Sequence, residues 1–191
     1  MIRIGILGDI GSGKTFVANN FGYPVFSADL EVAKIYKKDK KVFLKLKSKL
    51  PKYITRFPVD KNEITNAILN NQNNLIKIIK IVHKEIRKKL NVFLKKNKKK
   101  NKKIVILDIP LLIENKLFNK KDLLVFVDSK KKDIDKRIKK RLNFNNKLLK
   151  MFKKIQLSPN YKKRKSHFII NNTFTKKTVQ KEIKKILREI L

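Results

Sequence analysis

GILGDIGSGKT occupies residues 5–15 of the chain. The 191 residues hold 5 glycines, and four of them fall in this one stretch, which ends in Lys-Thr. Glycine adopts positive φ without steric cost and allows a ligand to come close to the backbone. Residues 8–15 fit the spacing G-x-x-x-x-G-K-[ST]. The apolar IRIGIL (2–7) before them reads as a short buried strand, and KTFVANNF (14–21) after them as a helix start. That context is the one in which this spacing forms a phosphate-binding loop. Successive backbone N–H groups then turn inward around an anion, and the helix N-terminus adds partial positive charge. Lys14 is placed for the β- and γ-phosphates of a nucleoside triphosphate such as ATP, and Thr15 for Mg²⁺. The nucleotide-binding set is therefore Gly8, Asp9, Ile10, Gly11, Ser12, Gly13, Lys14 and Thr15. The motif leaves the phosphate acceptor open.

Outward from the loop, PVFSA (24–28), KIVILDIP (103–110), DLLVFVD (122–128) and HFIIN (167–171) read as further strands. Helical spacing marks 29–49, with Leu30, Ala33, Val42, Phe43 and Leu46 on its apolar side, and two prolines break it within 51–60. Residues 62–94 read as one or two helices, 130–141 and 144–165 as helical, and 174–190 as an amphipathic last helix. The low-complexity KKNKKKNKK (95–103) reads as a solvated helix end and loop. Fully apolar strands alternating with helices predict an α/β fold, a parallel sheet covered on both faces.

Composition narrows the function classes. The chain has no cysteine, which excludes disulfides and thiolate metal sites. The opening MIRIGILGDIG has no apolar core of signal-peptide length, and no run of 18 uncharged apolar residues occurs, so the expected compartment is the cytoplasm, with no membrane partner. A formal net charge of +36 admits two readings: nucleic-acid binding through phosphate neutralisation, or biased composition. Of the 51 basic residues 44 are Lys and 7 are Arg, spread along the chain among Asn and Ile. Specific nucleic-acid readers lean on Arg, so bias is the preferred reading and no specific nucleic acid is expected.

Several residues outside the loop have chemistry to offer. Asp29 follows the second strand, where a carboxylate faces the ligand crevice of an open parallel sheet. It could take the proton of an attacking hydroxyl, ligate Mg²⁺, or cap the next helix. Asp108 ends the third strand and could bind Mg²⁺ or the local backbone. His83 lies on a predicted helix beside Val82, and His167 starts the last strand; both read as structural on general grounds. Arg137 and Arg141 are one helical turn apart in a chain that uses Lys nearly everywhere. Such a pair before a Lys-rich helix suits the base of a lid over a triphosphate.

Together these segments resemble the dephospho-coenzyme A kinase family of P-loop kinases. The likeness spans most of the chain and is weakest near 38–75. PVFSADLEVAK resembles the family's V-I-D-A-D-x-I-A turn, with Asp29 on the catalytic aspartate; IVHKEIRKKL resembles its H-P-x-I-R helix. IVILDIPLLIEN is close to V-x-D-I-P-L-L-x-E, and Gln156–Asn172 matches the tract Q-x-P…K-R…A-D-F-V-I-D-N. The resemblance implies a single P-loop kinase domain over 1–191, with a five-stranded sheet, a helical CoA-binding insert near 30–95 and a lid near 138–160. It implies transfer of the γ-phosphoryl of ATP, with Mg²⁺, to the ribose 3′-hydroxyl of dephospho-CoA, by a monomer or weak homo-oligomer. Asp29 would be the base and a possible Mg²⁺ ligand beside Thr15; Lys14, Arg137 and Arg141 would serve catalysis. His83, Arg87, Asp108, Pro110, Leu111 and Glu114 would lie toward the acceptor, and Asn172 near adenine.

The departures from the family pattern are local. Ser27 stands for the first Asp of D-A-D, Asp9 for a Gly, Phe16 for a Thr, Lys84 for the Pro after the histidine, and Ser166-His167 for Ala-Asp. Another small-acceptor kinase, for a nucleoside monophosphate or shikimate, would share the fold. A basic nucleic-acid binder with a vestigial nucleotide site would not need the D-I-P-L-L-x-E segment.

Overall fold

In the computed structural model, which describes residues 1–140 and 144–191, two compact units form. The first comprises Met1–Ser27, Leu94–Phe144 and Ile155–Leu191. It is built on five strands: β1 (Ile2–Gly8), β2 (Val25–Ser27), β3 (Ile104–Asp108), β4 (Leu123–Asp128) and β5 (Phe168–Asn171). They pair in parallel in the order β2-β3-β1-β4-β5. Parallel strands need crossovers, and helices supply them, so both faces are covered and the strands carry apolar residues on each side. One face meets α1 (Lys14–Asn20) and α9 (Lys176–Ile190) through Ile4, Ile6, Ile106, Val125, Val127, Val17, Val179 and Ile183. On the other, α8 (Pro159–Lys165) lies against β1 and β4. Helix α6 (Lys131–Lys139) belongs to this unit too.

The second unit comprises Ala28–Phe93 and Asn145–Lys154. It holds α2 (Ala28–Lys38), α3 (Lys40–Lys49), α4 (Lys61–Asn70), α7 (Asn146–Lys154) and most of α5 (Gln72–Lys99). The buried stripe of α5 is Leu75, Ile78, Val82, Ile86 and Leu90, spaced three to four residues as a helix face requires. Helix α7 packs on α4. The Glu63 carboxylate accepts from the Thr55 N–H (3.2 Å) and hydroxyl (2.5 Å), tying the preceding loop to α4.

Three local readings change. The predicted 29–49 helix is two helices, because Asp39 caps α3 by accepting from the Val42 N–H at 3.0 Å. Its buried residues in α2 are Ala28, Ile35 and Tyr36, whereas Leu30 is 64% exposed. The helical stretch 144–165 is likewise divided: Ser158 caps α8 and Pro159 opens it, and a proline cannot continue the preceding helix.

At the edge of the sheet where strands β1 and β4 begin, Arg3 pairs with the buried Asp122 at 2.9 Å, and the Asn119 N–H donates to the same carboxylate at 2.8 Å. Burial outweighs both partners and pushes the Asp122 carboxyl above its ordinary range. A raised folded pKa means that the folded state binds the proton more tightly than the unfolded chain. Asp122 therefore contributes stability below the unfolded carboxyl pKa and loses it as pH rises through the folded pKa. Thermal melts of wild type and Asp122→Asn should show the Tm difference moving in favour of wild type as pH falls from about 7 to about 4.

Candidate functional site

Every parallel strand of the sheet ends on the same edge, and the terminal residues carry the chemistry. β1 ends at Gly8, β3 at Asp108, β4 at Asp128 and β5 at Asn171. The strand order reverses at the central β1, whose neighbours are β3 and β4, and ligands of open α/β sheets bind at such a point.

The loop from Asp9 to Gly13 runs from β1 into α1. Gly11 has φ 86° and Gly13 φ 88°, conformations that side chains with a Cβ rarely take. The crowding comes from the protein itself: a Cβ on Gly13 would collide with Asn172 Nδ2 and the Phe174 ring, and one on Gly11 would stand 2.8 Å from Ile138 Cγ1. The loop's carbonyls have donors. Lys14 Nζ donates to the oxygens of Asp9 (2.8 Å) and Gly8 (3.2 Å). The Ser12 carbonyl accepts from Asn172 Nδ2 (2.8 Å) and Ser129 Oγ (2.9 Å). The Asp9 carboxylate turns onto its own loop and accepts from the Ile10 N–H at 2.7 Å.

Asn172 joins three segments. Its backbone N–H donates to Asp128 O, its amide nitrogen to Ser12 O, and its amide oxygen accepts from the Phe174 N–H at 2.8 Å. That last bond holds Phe174 at φ 62°. The Arg137 guanidinium lies over the Phe174 ring, 4.2 Å from its centre. The signal for Phe174 was weak in the sequence, since its role depends on packing between α6 and the loop after β5.

Across the strand edge, Thr15 Oγ1 donates to Asp108 Oδ2 at 2.6 Å, and Asp108 is buried. This pair presents oxygen donors of the kind that suit a hard divalent cation. Among the described residues no group of three or more His, Cys, Asp or Glu could hold a metal without help from a ligand. A crevice beside the loop is lined by Gly8, Lys14, Pro110, Leu111, Glu114 and Lys162, among others. Glu114 Oε1 is 3.0 Å from Lys162 Nζ and accepts from the Leu157 N–H at 3.0 Å. Lys162 has no local signal in the sequence among so many lysines; its burial is what distinguishes it.

The remaining candidates divide between the units. Asp29 lies in the first turn of α2, in the second unit, two residues beyond Ser27, which pairs in register with Asp108. His83 and Arg87 stand one turn apart on α5, also in the second unit. Arg141 lies outside the described residues. His167 is structural: its ring Nδ1 accepts from the Leu124 N–H (3.0 Å) and its own N–H donates to the Leu124 carbonyl (2.8 Å), starting β5.

A five-stranded parallel sheet with this loop after its central strand, and a strand-end carboxylate bonded to the loop's threonine, defines a P-loop kinase. Comparison with known proteins narrows the class. The family model described as CoaE, dephospho-CoA kinase, matches residues 2–177. A dephospho-CoA kinase of Wolbachia pipientis is 33% identical over 187 residues, covering 96% of this chain and 95% of that one. Among solved structures, a Thermus thermophilus protein superposes with TM-score 0.79 at 24% identity, over 100% of this chain and 98% of that one. A dephospho-CoA kinase from Campylobacter jejuni does so with TM-score 0.62 at 22% identity, over 98% and 96%. The chain belongs to the dephospho-CoA kinase family. It is a transferase of coenzyme A biosynthesis that phosphorylates dephospho-CoA at the expense of ATP.

If Asn172 orders the loop, its loss should be felt in nucleotide binding. Asn172→Ala removes two side-chain bonds at a buried position, a change worth about 1–3 kcal/mol. ATP affinity, titrated by calorimetry, should fall about tenfold. An unchanged Kd would show that the loop holds its shape without this side chain.

Proposed function

We propose that Asp29 acts as the general base toward the ribose 3′-hydroxyl of dephospho-CoA, and that the loop of residues 8–15 binds the triphosphate of ATP. The hydroxyl oxygen forms a bond to the γ-phosphorus, the bond from that phosphorus to the β–γ bridging oxygen breaks, and the proton passes to the Asp29 carboxylate. ADP and coenzyme A leave. The observation that carries this reading is the Thr15–Asp108 bond, since it joins the nucleotide loop to the strand end whose neighbour in register, Ser27, leads directly to Asp29.

Each other residue has a defined task. Lys14 exchanges its bonds to the Gly8 and Asp9 carbonyls for bonds to phosphate oxygens. Arg137, with Arg141, stabilises charge on the phosphoryl group in transit, and Asn172 lies toward adenine. Thr15 and Asp108, with Asp29 a further candidate, are the residues that would hold Mg²⁺. Bound there with the phosphates, the ion neutralises charge on them. His83 and Arg87 on α5, with Pro110, Leu111 and Glu114, are assigned to the acceptor side. The region 30–95 is assigned as the CoA-binding insert and 138–160 as the lid of one catalytic domain. No described helix is long and apolar enough to cross a membrane, and we place the enzyme, as a monomer or weak homo-oligomer, in the cytoplasm.

Coupled ADP release tests the reaction: ATP should be consumed when dephospho-CoA is supplied and not with shikimate or a nucleoside monophosphate. Asp29→Asn should lower kcat by at least about 100-fold, the range general-base catalysis supplies, while ATP binding by calorimetry stays within about twofold. Turnover near the wild-type rate would remove Asp29 from the role.

A further inference from the structure

We propose that Lys162 is a second cation of the nucleotide site, held by Glu114 in the wall of the crevice that Gly8 and Lys14 also line, and that it donates to a phosphate oxygen of bound ATP. The inference rests on the nucleotide reading of the loop given above. The chain carries 51 Lys and Arg. Among the described residues Lys162 is the one basic residue that the fold buries, at 4% exposure. The rest of that buried polar set includes Ser12, Asp108 and Asn172, all at the phosphate loop or its neighbours. Lysine is almost never buried without a partner, and here Glu114 Oε1 stands 3.0 Å from its Nζ and Gln156 Oε1 3.3 Å.

A purely mechanical link does not call for this chemistry. Replacing a buried ion pair with apolar residues of similar size is often neutral or stabilising. What an apolar pair cannot supply is positive potential in a site sheltered from water, where charge acts more strongly than in bulk solvent. The geometry leaves capacity for that role. An ammonium group has three donors; Glu114 and Gln156 take two, and no acceptor among the described residues takes the third. Lys162 is also held in place. Ser158 caps α8 by accepting from the Tyr161 N–H, and Ser166 Oγ donates to the Lys162 carbonyl at 2.9 Å. Glu114 is anchored in turn by the Leu157 N–H. The pair fixes the ammonium where the crevice meets Gly8 and Lys14.

Two variants of the full chain separate a charge role from a strut. Glu114→Gln/Lys162→Met removes both charges and keeps similar volume, so the fold should persist, with Tm within about 5 °C of wild type. ATP binding by calorimetry, which needs no acceptor, should weaken about tenfold or more. A folded double variant that binds ATP as wild type does would reduce the pair to a strut and overturn the proposal. Should that variant not fold, Glu114→Gln alone decides. Glutamine keeps an oxygen for Lys162 and for the Leu157 N–H but removes the opposing charge, so ATP should bind at least about twofold more tightly. Equal or weaker binding there would overturn the proposal. Wild-type ATP binding without acceptor-dependent turnover would instead count against the assigned reaction and leave Lys162 untouched.

Discussion

A loop can turn its N–H groups toward an anion only if its carbonyl oxygens are bonded elsewhere. Otherwise the buried oxygens would each carry the cost of desolvation, about 1–3 kcal/mol. Here the carbonyls of Gly8 and Asp9 are taken by Lys14, that of Ser12 by Asn172 and Ser129, and that of Gly13 by the first helical bond of α1, from the Val17 N–H. Among the described residues no acceptor takes the N–H of Gly11 or Gly13. The glycines follow from the same constraint. Gly13 lacks a side chain because Asn172 and Phe174 press against it to reach the loop's backbone, and Gly11 because Ile138 does. The density of glycine in this loop thus answers to neighbours in the protein.

Lys14 illustrates how the loop can be ordered before nucleotide arrives. Its ammonium satisfies two carbonyls of its own loop. Those bonds meet neutral carbonyl oxygens, whereas bonds from an ammonium to phosphate oxygens join opposite charges and are stronger still. On the proposed reading, nucleotide entry would draw the side chain from these carbonyls to the phosphates. Asp9 works in the other direction. Its carboxylate holds the Ile10 N–H, so the negative charge at this position is spent on local geometry and sits against the backbone of the phosphate loop. The high net charge of the chain, +36, surrounds the site with cations, but exposed charges beyond about 10 Å are screened at ordinary salt. On the proposed reading, the loop amides and Lys14, rather than the distant surface lysines, would decide the binding.

Much of the fold was legible because apolar runs without interruption can be satisfied in few ways. IRIGIL, KIVILDIP and DLLVFVD have no polar face, so each had to be covered on both sides, and a parallel sheet with helical crossovers does that. The loop was legible because its spacing is set by backbone geometry. What escaped depended on tertiary packing. Leu30 fits a helical apolar stripe by spacing, yet α2 buries Ala28, Ile35 and Tyr36 instead. Asp39 and Ser158 are ordinary polar residues until one knows that a helix starts just after them. Phe174 and Lys162 carry no local signature: one among 12 phenylalanines, the other among 44 lysines. Their distinction lies in a contact with Arg137 and in burial beside Glu114.

The parallel sheet explains why residues so far apart in sequence can share one edge. Thr15 meets Asp108 across 93 positions, and Ser12 meets Asn172 across 160. Each pairing exists because every strand delivers its last residue to the same side, and register fixes which residue that is: Ser27 opposite Asp108, Asp128 opposite Asn171. A shift of one residue in a strand would exchange the side chains packed on its two covered faces and move its terminal polar group out of the site together. Core packing and site geometry are thus held by a single constraint. Lysine can spread over helix surfaces, as on α9, without disturbing either. At the strand ends the same freedom is absent, because a side chain there must fill the core on one turn of the chain and meet the loop on the next.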